Sequence, residues 1–251
     1  YRRNCALIQD AVERNGWQKQ IPGIHLEGPF ISAEPGAVGC HNPDWVAEPD
    51  LGLIDELGSI IKMITVAAEV PGITDFIKGA VERGLIVSLG HQNAGTEDLQ
   101  RAEAAGASTL THLGNGIPNM VNRHHNAIWS GLSCDGLTAM IITDGHHLPP
   151  EVIKVVLRTK GIDNVIVTSD AAPAAGLPPG RYNVLGNDAI LEESGKLRCA
   201  DKDCLAGSGS TMKMCVEYLA SLDLLSQEEL EKVSYHNAMN LLDKHKKLAV
   251  K

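Results

Sequence analysis

The feature that most constrains this chain is a series of short apolar runs that each reach a side chain able to bind a metal or move a proton. IPGIHLE (21–27), IIKMITVAAE (60–69), LIVSLGH (85–91), STLTHL (108–113), LTAMIITDG (137–145) and NVIVTSD (164–170) read as strands, and they carry Glu27, Glu69, His91, His112, Asp144 and Asp170 at their ends. The runs are nearly continuous in Val, Ile and Leu, as in strands buried on both faces. Helix-like stretches separate several of them. ITDFIKGAVERG follows the second run, TEDLQRAEAAG the third, and PPEVIKVVLRTKG, with its prolines at the helix start, the fifth. Thr96 is the expected N-cap of the middle one. The first run leads into a long polar excursion with Gly36, Gly39 and Pro43, and the fourth into a loop of Asn and Gly. This alternation predicts an α/β fold with a parallel sheet covered by helices.

Beyond Asp170 the pattern changes. RYNVLGNDAILEESGKLR (181–198) predicts a small hairpin insertion with turns at Gly186-Asn187 and Ser194-Gly195. Two helices are expected after it, over LAGSGSTMKMCVEYLASL and SQEELEKVSYHNAMNLL, the second opened by a Ser226/Glu229 capping box. No repeat or linker divides the chain, so residues 1–251 are read as one domain.

Bulk properties narrow the function. A net charge of −9 argues against a general nucleic-acid surface. No apolar run approaches a membrane span. The amino-terminal YRRNCALIQDAVERNGW reads as an amphipathic helix rather than a secretion signal. The six cysteines are scattered, without metal-finger spacing, and read as reduced thiols of a cytoplasmic protein; Cys199 and Cys204 are the one candidate redox pair.

Taken singly, a histidine at a strand end is usually a satisfied structural residue, and a carboxylate there is often the cap of the next helix. Six in six successive strands call for a common cause. The C-terminal strand ends form the functional face of a parallel α/β sheet, and in a β/α barrel they converge on one mouth. Two imidazoles and a carboxylate suit Zn²⁺ or Fe²⁺ with a position left for water. A further Asp could then serve as general base, which is the equipment of a hydrolase.

HLEGPF, SLGHQNA, THLGNGIPN, ITDGHHLPP, VTSDA and LAGSGSTM resemble, in order and spacing, the N-acetylglucosamine-6-phosphate deacetylase family of the amidohydrolase superfamily, from about Pro22 to the chain end. The resemblance implies a (β/α)8 TIM-like barrel of the metal-dependent hydrolase type. It implies one divalent metal, Zn²⁺ first with Fe²⁺ or another ion open, on Glu27, His91 and His112. It implies Asp170 as the catalytic residue, and His41, Asn115, Gly116, Arg123, His147 and Leu205 at the substrate. Asp144 and Glu69 are expected to orient ligands from behind. The implied partners are a small amino-sugar substrate and a second copy of the chain, with Arg123 crossing the dimer interface.

Three departures stand out. The family's Arg-Glu-Pro-Gly is Arg123-His124-His125-Asn126 here, Gly116 stands for an Ala and is expected to be a mild change, and Glu27 ends what should be the third strand. The first two strands and the small β-sandwich domain are therefore expected to be missing, and the chain to be a piece of a longer protein. The leading reading is hydrolytic deacetylation of N-acetylglucosamine 6-phosphate. The rivals are a related amidohydrolase with another N-acetyl sugar or amide, and an inactive sugar-binding fragment.

Overall fold

The computed structural model describes residues 1–248. All six anticipated strands form: β1 (Ile24–Glu27), β2 (Ile61–Val66), β3 (Ile86–Leu89), β4 (Thr109–Leu110), β5 (Thr138–Ile142) and β6 (Val165–Thr168). They make one sheet in chain order, every neighbouring pair parallel. Helix α1 (Arg2–Asn15) precedes β1. The crossovers carry α2 (Leu51–Leu57), α3 (Ile73–Glu82), α4 (Thr96–Ala104), α5 (Ala127–Ser133) and α6 (Pro150–Lys160).

The two faces of the sheet follow the period-two alternation of strands. Ile64, Val66, Val87, Leu89, Ile141 and Val167 belong to the main core, together with residues of the surrounding helices such as Phe76, Leu99 and Ile153. Their neighbours in sequence point the other way. Met63, Ile86, Met140 and Ile166 form a separate apolar layer against Ala238, Leu241 and Leu242 of α9 (Asn237–Leu248). Further along the same face lies a layer of hydroxyls. His25 Nε2 meets Thr65 Oγ1 at 2.7 Å, Thr65 meets Thr111 at 2.8 Å, and Ser88 meets Thr111 at 2.6 Å. Glu27, two residues after His25, begins the next layer, at the strand ends.

Some local expectations shift. The N-cap of α4 is Gly95 rather than Thr96, because the Asp98 carboxylate accepts the Gly95 N–H at 2.9 Å. Helix α5 lies in what the sequence presents as loop. Asn126 caps its start by accepting from Ile128 and Trp129, and the buried Lys160 ammonium donates to the carbonyls of Gly131 and Cys134 at its end.

The hairpin is a three-stranded antiparallel sheet of β7 (Gly180–Val184), β8 (Asn187–Leu191) and β9 (Leu197–Cys199). Its first turn is Leu185-Gly186, one residue earlier than expected, with φ of 51° and 81°. Two positive values are what a tight two-residue hairpin turn requires.

Helix α7 spans Met212–Ser221 instead of starting at Leu205. The preceding segment is committed to pairing: Leu205 bridges Arg198, and Ser208 bridges Ala171. Helix α8 (Gln227–Glu231) opens on the Ser226/Glu229 capping box, and a π-helical turn over Lys232–His236 joins it to α9. The tail of the predicted family match, residues 249–251, lies outside the described residues.

Candidate active site

The end of β1 and the loops that follow β3, β4 and β6 deliver Glu27, His91, His112 and Asp170 to one cavity of about 730 Å³. His91, His112 and Asp170 each stand two residues beyond the end of their strand, and each has positive φ, at 51°, 29° and 48°. That region is unfavourable for side chains with a Cβ, and residues held there concentrate at functional sites. The shared conformation turns three different chains of chemistry toward the same mouth.

The innermost geometry is a triangle. His91 Nε2 and His112 Nε2 lie 3.1 and 3.0 Å from Glu27 Oε1, and 3.1 Å from each other. His91 Nδ1 lies 2.8 Å from the Ala37 carbonyl, which can only accept, so the ring donates there and presents the lone pair of Nε2 to the triangle. Among the described residues, Nδ1 of His112 is buried with no hydrogen-bond partner. Three electron-pair donors converging at this spacing fit a divalent cation of the kind imidazole and carboxylate favour. His41 widens the cluster: its ligand atom and those of Glu27 and His91 lie within 4.8 Å of one another, with Nε2 3.8 Å from Glu27 Oε2. The His112 contacts are shorter, so the tight set is Glu27, His91 and His112.

The charges agree with this picture. Burial disfavours ionised Glu27, but hydrogen bonds and charge from His112 and His91 outweigh it and hold the carboxyl well below its usual range. Asp170 moves the opposite way: burial, then the nearby Glu27 charge, raise it above an ordinary carboxylate. Burial, followed by the neighbouring His91, lowers His41 to about 4.

Not every strand-end residue faces the cavity. Asp144 is turned inward and fully engaged. Its Oδ2 accepts from His147 Nδ1 at 2.8 Å and from Ser208 at 2.6 Å, and its Oδ1 accepts the backbone N–H groups of His146 and His147. His147 therefore presents its other nitrogen to the cavity it lines. Glu69 accepts the Asn93 N–H at 2.6 Å and shapes the loop after β3 without lining the cavity.

Of the expected substrate residues, His41, Asn115, Gly116, His147 and Leu205 line the cavity; Arg123 does not. Arg123 is exposed, in a loop whose Met120 is 91% exposed. Gly116 is not a mild replacement. At φ +58°, a Cβ there would lie 2.9 Å from His91 Nδ1 and 3.1 Å from His112 Cε1. Missed from the sequence were the Ala37 carbonyl that fixes His91 and the grip of Ser208 on Asp144. A backbone carbonyl leaves no sequence signal, although Ser208 lies inside the LAGSGS motif.

Comparison with known proteins points in one direction. A deacetylase of N-acetylglucosamine 6-phosphate from Lysinibacillus sphaericus is 33% identical over 229 residues, 90% of this chain and 58% of that protein. The Danio rerio protein of the same name is 35% identical over 242 residues, again 90% of this chain and 58% of the relative. The chain is similar in sequence to several proteins of that name. The crystal structure of such an enzyme from Thermotoga maritima superposes with a TM-score of 0.83 at 26% identity, covering 96% of this chain and 66% of that one. A Mycobacterium smegmatis mutant in complex with N-acetyl-D-glucosamine-6-phosphate gives 0.82 at 28% identity, over 92% of this chain and 60% of that one. No protein-family model matches. The chain spans just under three-fifths of the two curated relatives named above.

Proposed function

We propose that the chain carries the catalytic centre of a metal-dependent deacetylase that hydrolyses N-acetylglucosamine 6-phosphate to glucosamine 6-phosphate and acetate. The observation that carries this reading is the triangle of Glu27, His91 and His112 donors at 3.0–3.1 Å, opening on a cavity that also holds Asp170. Homology to enzymes of that name supports the substrate.

Glu27, His91 and His112 would hold one divalent ion, Zn²⁺ first and Fe²⁺ as the alternative. When bound, such an ion acts as a Lewis acid toward the amide carbonyl and lowers the pKa of water. Asp170 takes a proton from the attacking water and passes it to the sugar nitrogen as the C–N bond breaks. A carboxylate raised by burial is suited to that exchange. His147, its Nδ1–H donated to Asp144, turns the lone pair of Nε2 toward the substrate, where it can accept from a hydroxyl or an amide N–H. Asn115, Gly116, His41 and Leu205 line the remaining wall around the sugar and its acetyl group. The six parallel strands are read as part of an eight-stranded barrel, residues 1–251 as a single catalytic domain, and the working protein as a cytoplasmic homodimer with Arg123 at its interface.

The test is acetate release from N-acetylglucosamine 6-phosphate by the metal-loaded chain, with the galactosamine epimer as competitor, since relatives named for that substrate also match. Asp170→Asn is expected to lower turnover about 10³-fold with bound metal unchanged. Undiminished turnover in that variant would rule Asp170 out as the base.

A further inference from the structure

The cavity wall contains a feature that deacetylation does not use. Strand β9 ends at Cys199, the chain turns through residues 200–203, and it returns at Cys204 and Leu205. Arg198 and Leu205 form an antiparallel bridge, which places Cys199 and Cys204 opposite each other on the next rung. The Cys199 N–H donates to the Cys204 carbonyl at 3.0 Å. The two sulfurs are 3.5 Å apart. Facing residues on a hydrogen-bonded rung have Cα atoms about 5.5 Å apart, inside the span of roughly 4.4–6.8 Å that a disulfide bridges. Cys199 is buried, whereas Cys204 is partly exposed and lines the cavity with Lys202, Asp203 and Leu205.

We infer that Cys199 and Cys204 are an oxidisable dithiol, closed to a disulfide by hydrogen peroxide, which clasps the cavity wall carrying Lys202 and Leu205. Cys204, the sulfur within reach of solvent, loses its proton and attacks one peroxide oxygen. The O–O bond breaks, a sulfenic acid forms, and the proton leaves with hydroxide as water. Cys199 then attacks the sulfenic sulfur, and its own proton departs with the second hydroxyl. Two thiols are oxidised by two electrons and one peroxide becomes two waters. Burial and the contact with Cys199 push the Cys204 thiol up to about 12. The clasp therefore closes slowly at neutral pH, and the thiols stay reduced where peroxide is scarce.

The sequence supplies its own assay, because Arg198 and Lys202 flank Cys199 and place a trypsin site between the two cysteines. The whole chain is treated with excess peroxide, free thiols are alkylated with iodoacetamide, and the protein is digested without reductant. Peptide 199–202 is expected joined to peptide 203–213, and released from it by dithiothreitol. Cys204→Ser should abolish the joined species, and Cys40→Ser, which removes the third thiol of the same wall, should leave it intact. Recovery of both peptides alkylated, oxidation halting at sulfinic acid, or Cys204 joined to Cys40 instead would each overturn the inference. The readout is covalent, so it stands apart from whether the chain turns over any sugar.

Discussion

The two sheets of this molecule are built on opposite plans. The parallel sheet is packed on both faces, with the helices outside and α9 within, and its strands read as unbroken apolar runs. The antiparallel sheet has one covered face, formed by Val184, Ala189, Leu191 and Leu197 around Cys40 and Ala206. On the other face Arg181, Asn183 and Asp188 are exposed. The triangle of Glu27, His91 and His112, with Asp170, stands on the first sheet and the Lys202 wall on the second. These four residues thus stand on the sheet buried on both faces, and the smaller sheet and the turn after it line the other side of the cavity.

The difference can be broken by experiment. Ile141→Ala, at a fully buried position of β5, is expected to cost about 4 kcal/mol in denaturant unfolding. Leu191→Ala, in the small sheet, should cost nearer 2 kcal/mol and leave metal affinity intact. If Leu191→Ala released the metal, the two sheets would not be energetically separate. Gly116→Ala tests the parallel side at its mouth. The added methyl should drive His91 from the Ala37 carbonyl and weaken metal binding about 10–100-fold by competition with a chelator. Unchanged affinity would mean that the loop after β4 yields easily. The smallest effect should come from Leu185→Gly in the β7–β8 turn. Relief of the left-handed residue should stabilise the small sheet by about 0.5–1 kcal/mol, visible in hydrogen exchange of β7 and β8 amides without change in β2 or β5.

Legibility followed the same division. Buried strands declare themselves through Val, Ile and Leu, so all six were readable, and their ends led to Glu27, His91, His112 and Asp170. The readable signal was residue type at a strand end, which does not encode which way the side chain turns. By residue type alone Asp144 and Glu69 matched the other four; only the family resemblance set them behind the site, where one binds His147 and Ser208 and the other a loop amide. Helix α5 was hidden because its stability comes from Asn126 and from Lys160, a residue two elements away. The start of α7 was misplaced because residues 205–211 have enough small and polar side chains to pair locally with strands. The steric meaning of Gly116 depends on two rings brought beside it only by the fold.

The backbone at His91, His112 and Asp170 carries a further consequence. At all three positions glycine would be the more comfortable residue. Random drift under selection for stability alone would be expected to erase this site. A triple glycine variant should relieve that backbone strain yet bind no metal, and it should lose the contacts that hold the Glu27 carboxylate. Three left-handed residues other than glycine at one mouth are a backbone cost that the packing of the core does not itself require.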